Sequence, residues 1–129
     1  MISPHKFKFS LKNAFSGIKY LFAAENNVRI HFAATLLVLA ASAVLRISLT
    51  NWAIILLTIS LVWITEAINT VFERLFDLLD GSYNPIIKIG KDVSAASVLF
   101  SAIASVAIAL IVFVPRIVEL FSGWENFYK

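Results

Sequence analysis

The chain has no cysteine and few charged residues, and both shortages restrict what it can be. Without cysteine, no disulfide framework, thiolate metal site or thiol nucleophile can form. Charged residues make up 15% of the 129 residues and hydrophobic residues 60%, whereas soluble domains have about 25% charged and about 45–50% apolar residues. The composition therefore indicates an integral membrane protein, and the length fits a single domain over residues 1–129.

Three apolar stretches are candidates for membrane-spanning helices. They cover about residues 30–48, 52–71 and 93–114, and the third contains no charged residue. Such stretches match the thickness of the hydrocarbon core when they are helical. We expect Pro115 to end the third span, and residues 80–91 to form a loop between the second and third spans.

The segment before the first span is amphipathic. From Leu11 onward, apolar residues recur at helical spacing, while Lys12 and Lys19 lie on the other side. This pattern predicts a helix over about residues 6–24 that lies on the membrane surface, with its lysines toward the lipid headgroups. Ser10 is the expected N-cap. A basic presequence is the alternative, but no cleavable signal peptide is expected because the apolar run begins late.

The basic residues predict the orientation in the membrane. Because lysine and arginine concentrate on the cytoplasmic side, we expect the amino terminus and residues 72–92 to face the cytoplasm. The basic residues on this side are Lys6, Lys8, Lys12, Lys19, Arg29, Arg74, Lys88 and Lys91, against Arg46, Arg116 and Lys129 opposite.

The second span continues into a segment that carries carboxylates. No helix breaker interrupts residues 52–79, so we predict one long helix with Glu66, Asn69, Glu73 and Asp77 along one face. A carboxylate at the edge of the hydrocarbon core is costly and marks a candidate functional site. The structural alternative is a helix that simply leaves the membrane and meets water.

These carboxylates suit a magnesium–phosphate site. Glu25 and Glu73 lie at the predicted cytoplasmic interface, and two carboxylates with water and phosphate oxygens fit the preference of Mg²⁺. Lys88 and Lys91 could balance phosphate charge, and Asp92 could orient or neutralise its neighbour Lys91. The Gly90-Lys91-Asp92 sequence is not a P-loop, because the upstream glycine, the Ser/Thr and the preceding strand are missing.

Glu66 lies about two helical turns, roughly 10 Å, deeper than Glu73. It could accept a proton from a hydroxyl held at the headgroup level. Phosphorylation of a lipid alcohol needs a metal–nucleotide complex outside the hydrocarbon core and a base at its inner edge. This reaction depends mainly on positioning and charge stabilisation.

Two other functions are compatible with the same residues. One is a small oligomeric ion- or proton-conducting protein with Glu66 in a pore, and the other is a non-catalytic assembly factor. A simple cation pore has no use for Lys88 and Lys91, which favours the kinase. The third span also carries a stripe of small residues that predicts tight helix packing: Ser94, Ser97, Ser101 and Ser105.

Two motifs and one spacing are shared with a known family. Residues 66–77 match E-x-x-N-[ST]-x-x-E-x-x-x-D, residues 91–98 match K-D-x-x-x-A-x-V, and the spacing of Glu25 and Arg29 ahead of the first span matches as well. Over about residues 6–114 the chain resembles the small prokaryotic diacylglycerol kinases, which include undecaprenol kinases. The resemblance implies an all-α membrane protein that forms a homotrimer, each chain having a surface helix and three spans, with active sites at subunit boundaries.

The resemblance also implies the reaction: ATP- and Mg²⁺-dependent phosphorylation of a membrane lipid alcohol, undecaprenol or diacylglycerol, at the cytoplasmic face, with no nucleic-acid partner. It implies that Glu66 is the catalytic base and that Glu25 and Glu73 bind Mg²⁺ and ATP. It implies further nucleotide contacts at Asn13, Ser82, Tyr83, Asn84, Lys91 and Asp92, and lipid contacts at Glu66, Asn69 and Ala95.

The sequence departs from the family pattern at two positions. Lys6 stands where some relatives have arginine, which keeps the charge but loses the bidentate geometry. His31 stands where the diacylglycerol-specific branch tends to have an acid, and Arg29-Ile30-His31 looks more like the undecaprenol kinases, which favours a polyprenol substrate. The alternative for His31 is a headgroup-level histidine with no role.

Overall fold

The computed structural model describes residues 3–79 and 84–125, and this part of the chain consists of four α-helices and short connections. They are α1 (Pro4–Ala24), α2 (Asn26–Val44), α3 (Leu49–Leu79) and α4 (Pro85–Glu125). The last three are long and apolar enough to cross a membrane. The prediction of an all-α fold is confirmed over the described residues, and three helices are candidates for the three predicted spans. Helix α3 is the single long helix expected from residues 52–79.

The first helix begins earlier than the sequence analysis predicted. Pro4 occupies the first turn of α1, and Ser3 is the N-cap, its Oγ accepting a hydrogen bond of 3.2 Å from the backbone N–H of Lys6. Proline suits this position because its missing N–H would have no partner there. Ser10 lies inside α1, so its prediction as the N-cap was wrong.

Helix α4 also begins at a proline, and this early start shortens the loop that was predicted over residues 80–91. Helix α4 begins at Pro85, and Asn84 Oδ1 accepts a hydrogen bond of 2.9 Å from the N–H of Ile86. Residues 85–91 are therefore helical, and this part of the loop prediction was wrong. The Asn-Pro pair is a helix start here rather than a turn.

Helix α4 also continues through Pro115, so the prediction that this residue ends the third span was wrong. Proline removes one backbone hydrogen bond, but helices in membrane proteins tolerate this where neighbouring groups stabilise the segment. Here Arg116 Nε donates to the backbone oxygen of Leu45 at 3.0 Å, and Arg116 Nη1 donates to Glu119 Oε2 at 2.8 Å. These contacts hold the turn that follows the proline.

Helices α3 and α4 form the main packed pair. A hydrogen bond of 2.9 Å joins the hydroxyls of Thr65 and Ser101, and Ser101 is buried against α3, as the predicted packing role of the serine stripe requires. At the end of the pair distant from α1, Ile47, Ile55 and Val112 form a small apolar core. Most other large apolar side chains are exposed, as expected of helices surrounded by lipid.

Glu25 alone separates α1 from α2, and its backbone is extended (φ −115°, ψ 122°). An aromatic cluster fixes this junction, since the Phe22 ring centroid lies 5.3 Å from that of Phe32 and 5.7 Å from that of Trp63. Trp63 Nε1 also donates to Thr35 Oγ1 at 3.1 Å. The end of α1 is thereby held against α2 and α3, which places Glu25 close to α3.

Gly90 lets α4 approach α3 closely. A Cβ at this position would lie 2.5 Å from Phe76 Cζ and 2.9 Å from a second carbon of the same ring. The ring also stacks on Phe72 with a centroid distance of 6.0 Å, so turning the ring aside would disturb that contact. The absence of a side chain at residue 90 therefore allows the two helices to lie this close next to Lys91.

We predict that Gly90→Ala lowers the melting temperature, whereas the matched variant Gly17→Ala does not. A Cβ at Gly17 meets no atom within 4 Å, so alanine there should gain up to about 1 kcal/mol of helix propensity. At Gly90 the overlap with Phe76 should cost about 1–3 kcal/mol. Thermal unfolding in detergent micelles, followed by circular dichroism, measures both. Equal shifts for the two variants would contradict the close approach.

Candidate active site

Glu66 lies on the buried face of α3. It is only 2% exposed, and its Oε2 has no hydrogen-bond partner in the part of the chain that the structure describes. The closest basic atom is His31 Nε2 on α2, at 3.7 Å. Burying a carboxylate oxygen without a donor is costly, so this position is the strongest indication of a functional site in the molecule.

Glu73, two turns further along α3, is held by a chain of hydrogen bonds. Asn69 Nδ2 donates to Glu73 Oε1 at 3.0 Å, and Ser94 Oγ on α4 donates to Asn69 Oδ1 at 2.8 Å. The amide of Asn69 therefore links α4 to the carboxylate of Glu73 and fixes its orientation. The prediction that Glu66, Asn69 and Glu73 lie along one face of the helix is confirmed.

Glu25 reaches the same end of α3 through Arg74. Arg74 Nη2 donates to Glu25 Oε1 at 2.8 Å, Arg74 Nη1 lies 3.8 Å from Asp77 Oδ2, and the guanidinium carbon lies 5.8 Å from the centroid of the Tyr20 ring. In the sequence, Arg74 indicated only the orientation of the chain in the membrane. The three-residue spacing of Arg74 and Asp77 could have suggested their ion pair. The contact of Arg74 with Glu25 spans 49 residues and leaves no local pattern in the sequence.

Lys91 and Asp92 are neighbours in sequence, but their ion pairs are with different residues. Lys91 Nζ contacts Asp77 Oδ1 on α3 at 2.7 Å, and Asp92 Oδ2 instead accepts from Lys88 Nζ at 2.7 Å, one turn away on α4. Asp92 thus forms an ion pair with Lys88, and its predicted effect on Lys91 stays a prediction. Adjacent residues on a helix point in different directions, whereas residues four apart share a face.

Three other predicted site residues, Asn13, Asn84 and Ala95, make no hydrogen bond or ion pair to this network in the described part of the chain. Asn13 is exposed on α1, and within the described residues its side chain makes no hydrogen bond. Ala95 is exposed on α4, and Asn84 caps that helix. Ser82 and Tyr83 lie outside the described residues.

Glu25 and Glu73 have the donor chemistry that Mg²⁺ prefers. Each uses one carboxylate oxygen, for Arg74 and Asn69 respectively, and the second oxygen accepts no hydrogen bond from the described residues. Over residues 3–79 and 84–122, no three His, Asp or Glu side chains gather in a way that could hold a metal. Each carboxylate therefore has one oxygen that no described residue occupies.

An apolar cavity of about 210 Å³ lies between α2, α3 and α4 within the spans. Val62, one turn before Glu66, lines it from α3, and Ala102 lines it from α4. His31 is at its edge and is the only titratable residue among those that line it. The cavity therefore meets the candidate site at the contact between His31 and Glu66.

The family model of the prokaryotic diacylglycerol kinases matches residues 12–113, which include every residue of the network described above. The chain belongs to this family. This membership favours the predicted lipid kinase, which would use ATP as co-substrate, over the pore and the assembly factor.

Two curated relatives of this family align with most of the chain. The diacylglycerol kinase of Synechocystis sp. is 37% identical over 112 residues, which are 86% of this chain and 64% of that protein. The undecaprenol kinase of Bacillus subtilis is 32% identical over 113 residues, which are 88% of this chain and 92% of that protein. The chain thus spans somewhat less than two thirds of the first relative and nearly all of the second.

We predict that Ser94→Ala destabilises the protein, because it removes the donor that fixes Asn69. Hydrogen bonds between helices in membranes contribute about 0.6 kcal/mol on average, and Asn69 Oδ1 would also lose its partner, which brings the expected loss to about 1 kcal/mol. Ser60→Ala is the matched control, because Ser60 is exposed and bonds only to its own helix at Leu56. Unfolding in mixed micelles measures both, and equal stability of the two variants would contradict the bridge.

Proposed function

We propose that this protein transfers the terminal phosphoryl group of ATP to the hydroxyl of a membrane lipid, with Mg²⁺, at the cytoplasmic membrane face. The observation that carries the proposal is the buried carboxylate of Glu66, whose Oε2 lacks a hydrogen-bond donor. A substrate hydroxyl is a group that would donate a hydrogen bond to this oxygen. Family membership supplies the reaction class.

In this reaction Glu66 is the general base. The lipid oxygen forms a bond to the γ-phosphorus while the bond from that phosphorus to its bridging oxygen breaks, releasing ADP. The hydroxyl proton passes to Glu66. Burial supports this role, because it keeps water away from the carboxylate oxygen that would meet the hydroxyl. Asn69, which is buried one turn further on, orients the site.

Glu25 and Glu73 would hold the Mg²⁺ through their free oxygens. When bound, the cation neutralises charge on the phosphates of the nucleotide. Lys91, held towards α3 by Asp77, is placed to contact the nucleotide, and Asn13, Ser82, Tyr83, Asn84 and Asp92 complete the proposed nucleotide contacts.

The substrate is undecaprenol or diacylglycerol, the lipids in the names of the two relatives. The stretch Arg29-Ile30-His31 favours the polyprenol. Ala95, which is exposed on α4 one turn after Lys91, is the proposed lipid contact on that helix.

We further propose that the protein works as a homotrimer in the bacterial inner membrane. Two carboxylates supply only part of a cation's ligands within the described chain, and a neighbouring subunit would supply further ones beside water and phosphate. Helix α1 buries none of its described residues and alternates lysines with aromatic side chains, which suits a surface helix at the cytoplasmic face.

The decisive test is a kinase assay with both lipids. Purified protein in mixed micelles, given labelled ATP and Mg²⁺, should transfer label to undecaprenol, to diacylglycerol or to both. A chelator of divalent cations should abolish transfer. If neither lipid is labelled at any Mg²⁺ concentration, the proposed function is wrong.

The two glutamates of α3 should respond differently to substitution. We expect Glu66→Gln to lower kcat about 10²-fold or more, because it removes the base, and to leave nucleotide binding nearly unchanged. Glu73→Gln should weaken Mg²⁺-dependent nucleotide binding instead.

The matched control is Glu119→Gln, which breaks an exposed ion pair with Arg116 at the other end of α4 and should change neither value. Binding of a fluorescent ATP analogue measures the nucleotide affinity, and steady-state kinetics measure kcat. Full nucleotide affinity in Glu73→Gln would contradict the metal assignment.

A further inference from the structure

We propose that His31 takes from Glu66 the proton that the lipid hydroxyl loses, and so returns the base to its charged state in each turnover. This inference rests on the proposed function, since it concerns the same carboxylate. It gives His31 a role as a positioning and proton-exchange residue that acts through Glu66 and does not touch the phosphate.

The geometry that carries the proposal is the contact between the two side chains. His31 Nε2 lies 3.7 Å from Glu66 Oε2, which is the oxygen without a hydrogen-bond partner. A displacement of less than about 1 Å converts this separation into a hydrogen bond. No other lysine, arginine or histidine of the described residues lies within 4.0 Å of the Glu66 carboxylate.

The two side chains differ in exposure. That of Glu66 is 3% exposed, whereas that of His31 is 19% exposed. Glu66 is thus almost enclosed, while His31, in the second turn of α2 and at the predicted headgroup level, keeps some accessible surface beside it. Histidine suits proton exchange because it gains and loses protons near neutral pH.

The other charged groups around the pair do not replace His31. Two acids lie near enough to act electrostatically on Glu66: Glu73 on α3 and Glu25 at the α1–α2 junction. Both repel the negative charge of the Glu66 carboxylate. On α2, Arg29 is turned away and donates to the backbone oxygen of Phe22 at 3.2 Å. On α4, the residues that share the cavity with His31 are uncharged, Ser105 among them.

The proton balance closes with this residue. Glu66 receives the hydroxyl proton as the lipid oxygen bonds to phosphorus. The proton then moves to the free lone pair of His31 Nε2, and the resulting imidazolium releases it to water. No oxidant, reductant or further reactant is required.

The test compares the two histidines of the chain in the kinase assay. His31→Gln keeps a hydrogen-bond donor but cannot carry a proton, so we expect kcat to fall about tenfold or more, with the KM for ATP and lipid changed less than about twofold. Its pH–rate profile should lose one ionisation. His5→Gln, on the exposed start of α1, is the control and should behave as the wild type.

Two further measurements separate proton exchange from a structural role. Added imidazole should restore kcat in His31→Ala. In ¹⁵N-histidine NMR, Glu66→Gln should move the titration midpoint of His31 by at least about half a pH unit and leave His5 unmoved.

Unchanged kcat and pH profile in His31→Gln, with an active wild type, would overturn this inference alone. A fall in kcat without imidazole rescue or NMR coupling would also overturn it, in favour of packing. A wild type that phosphorylates neither lipid would instead overturn the proposed function, and the inference with it.

Discussion

The desolvation of one carboxylate constrains this structure more than any other interaction. Glu66 is buried on α3 at the edge of an apolar span, where an unpaired charge is costly. Thr70 lies within the same turn but donates to the backbone oxygen of Glu66 and not to its carboxylate. The described chain therefore leaves the acceptor open, and only His31 is near enough to respond to it. A group that folding leaves unsatisfied is available for substrate.

The contrast with Glu73 assigns different tasks to two acids on one helix. Asn69 and Ser94 fix one oxygen of Glu73 through hydrogen bonds that cross from α4. An oriented carboxylate with one free oxygen suits a metal ion, which needs a fixed ligand. A carboxylate that no described residue supplies with a donor is open to a substrate hydroxyl instead. Two turns of helix, roughly 10 Å, separate these two environments.

Helical periodicity predicted much of this arrangement from the sequence, because residues three, four and seven apart must share a face. It gave the face of Glu66, Asn69 and Glu73 and the three spans. It did not give partners between helices: Lys91 meets Asp77, and Arg74 meets Glu25, because of how α3, α4 and the α1–α2 junction pack. The helix starts at Pro4 and Pro85 were predictable from the Ser-Pro and Asn-Pro pairs. The continuation through Pro115 was not, because Arg116 stabilises it through a distant backbone oxygen at Leu45.

The ion pair between Arg74 and Glu25 bears on how the proposed metal site would fill. Glu25 would have to bind a cation while one of its oxygens accepts from Arg74 at 2.8 Å. The side chain of Arg74 is 48% exposed, whereas that of Glu25 is 18% exposed, so water screens the pair mainly from the side of Arg74. A divalent cation at Glu25 would replace one cationic partner by another, while Arg74 kept its contacts with Asp77 and Tyr20. In the structure as described, it is Arg74 that balances the charge of Glu25.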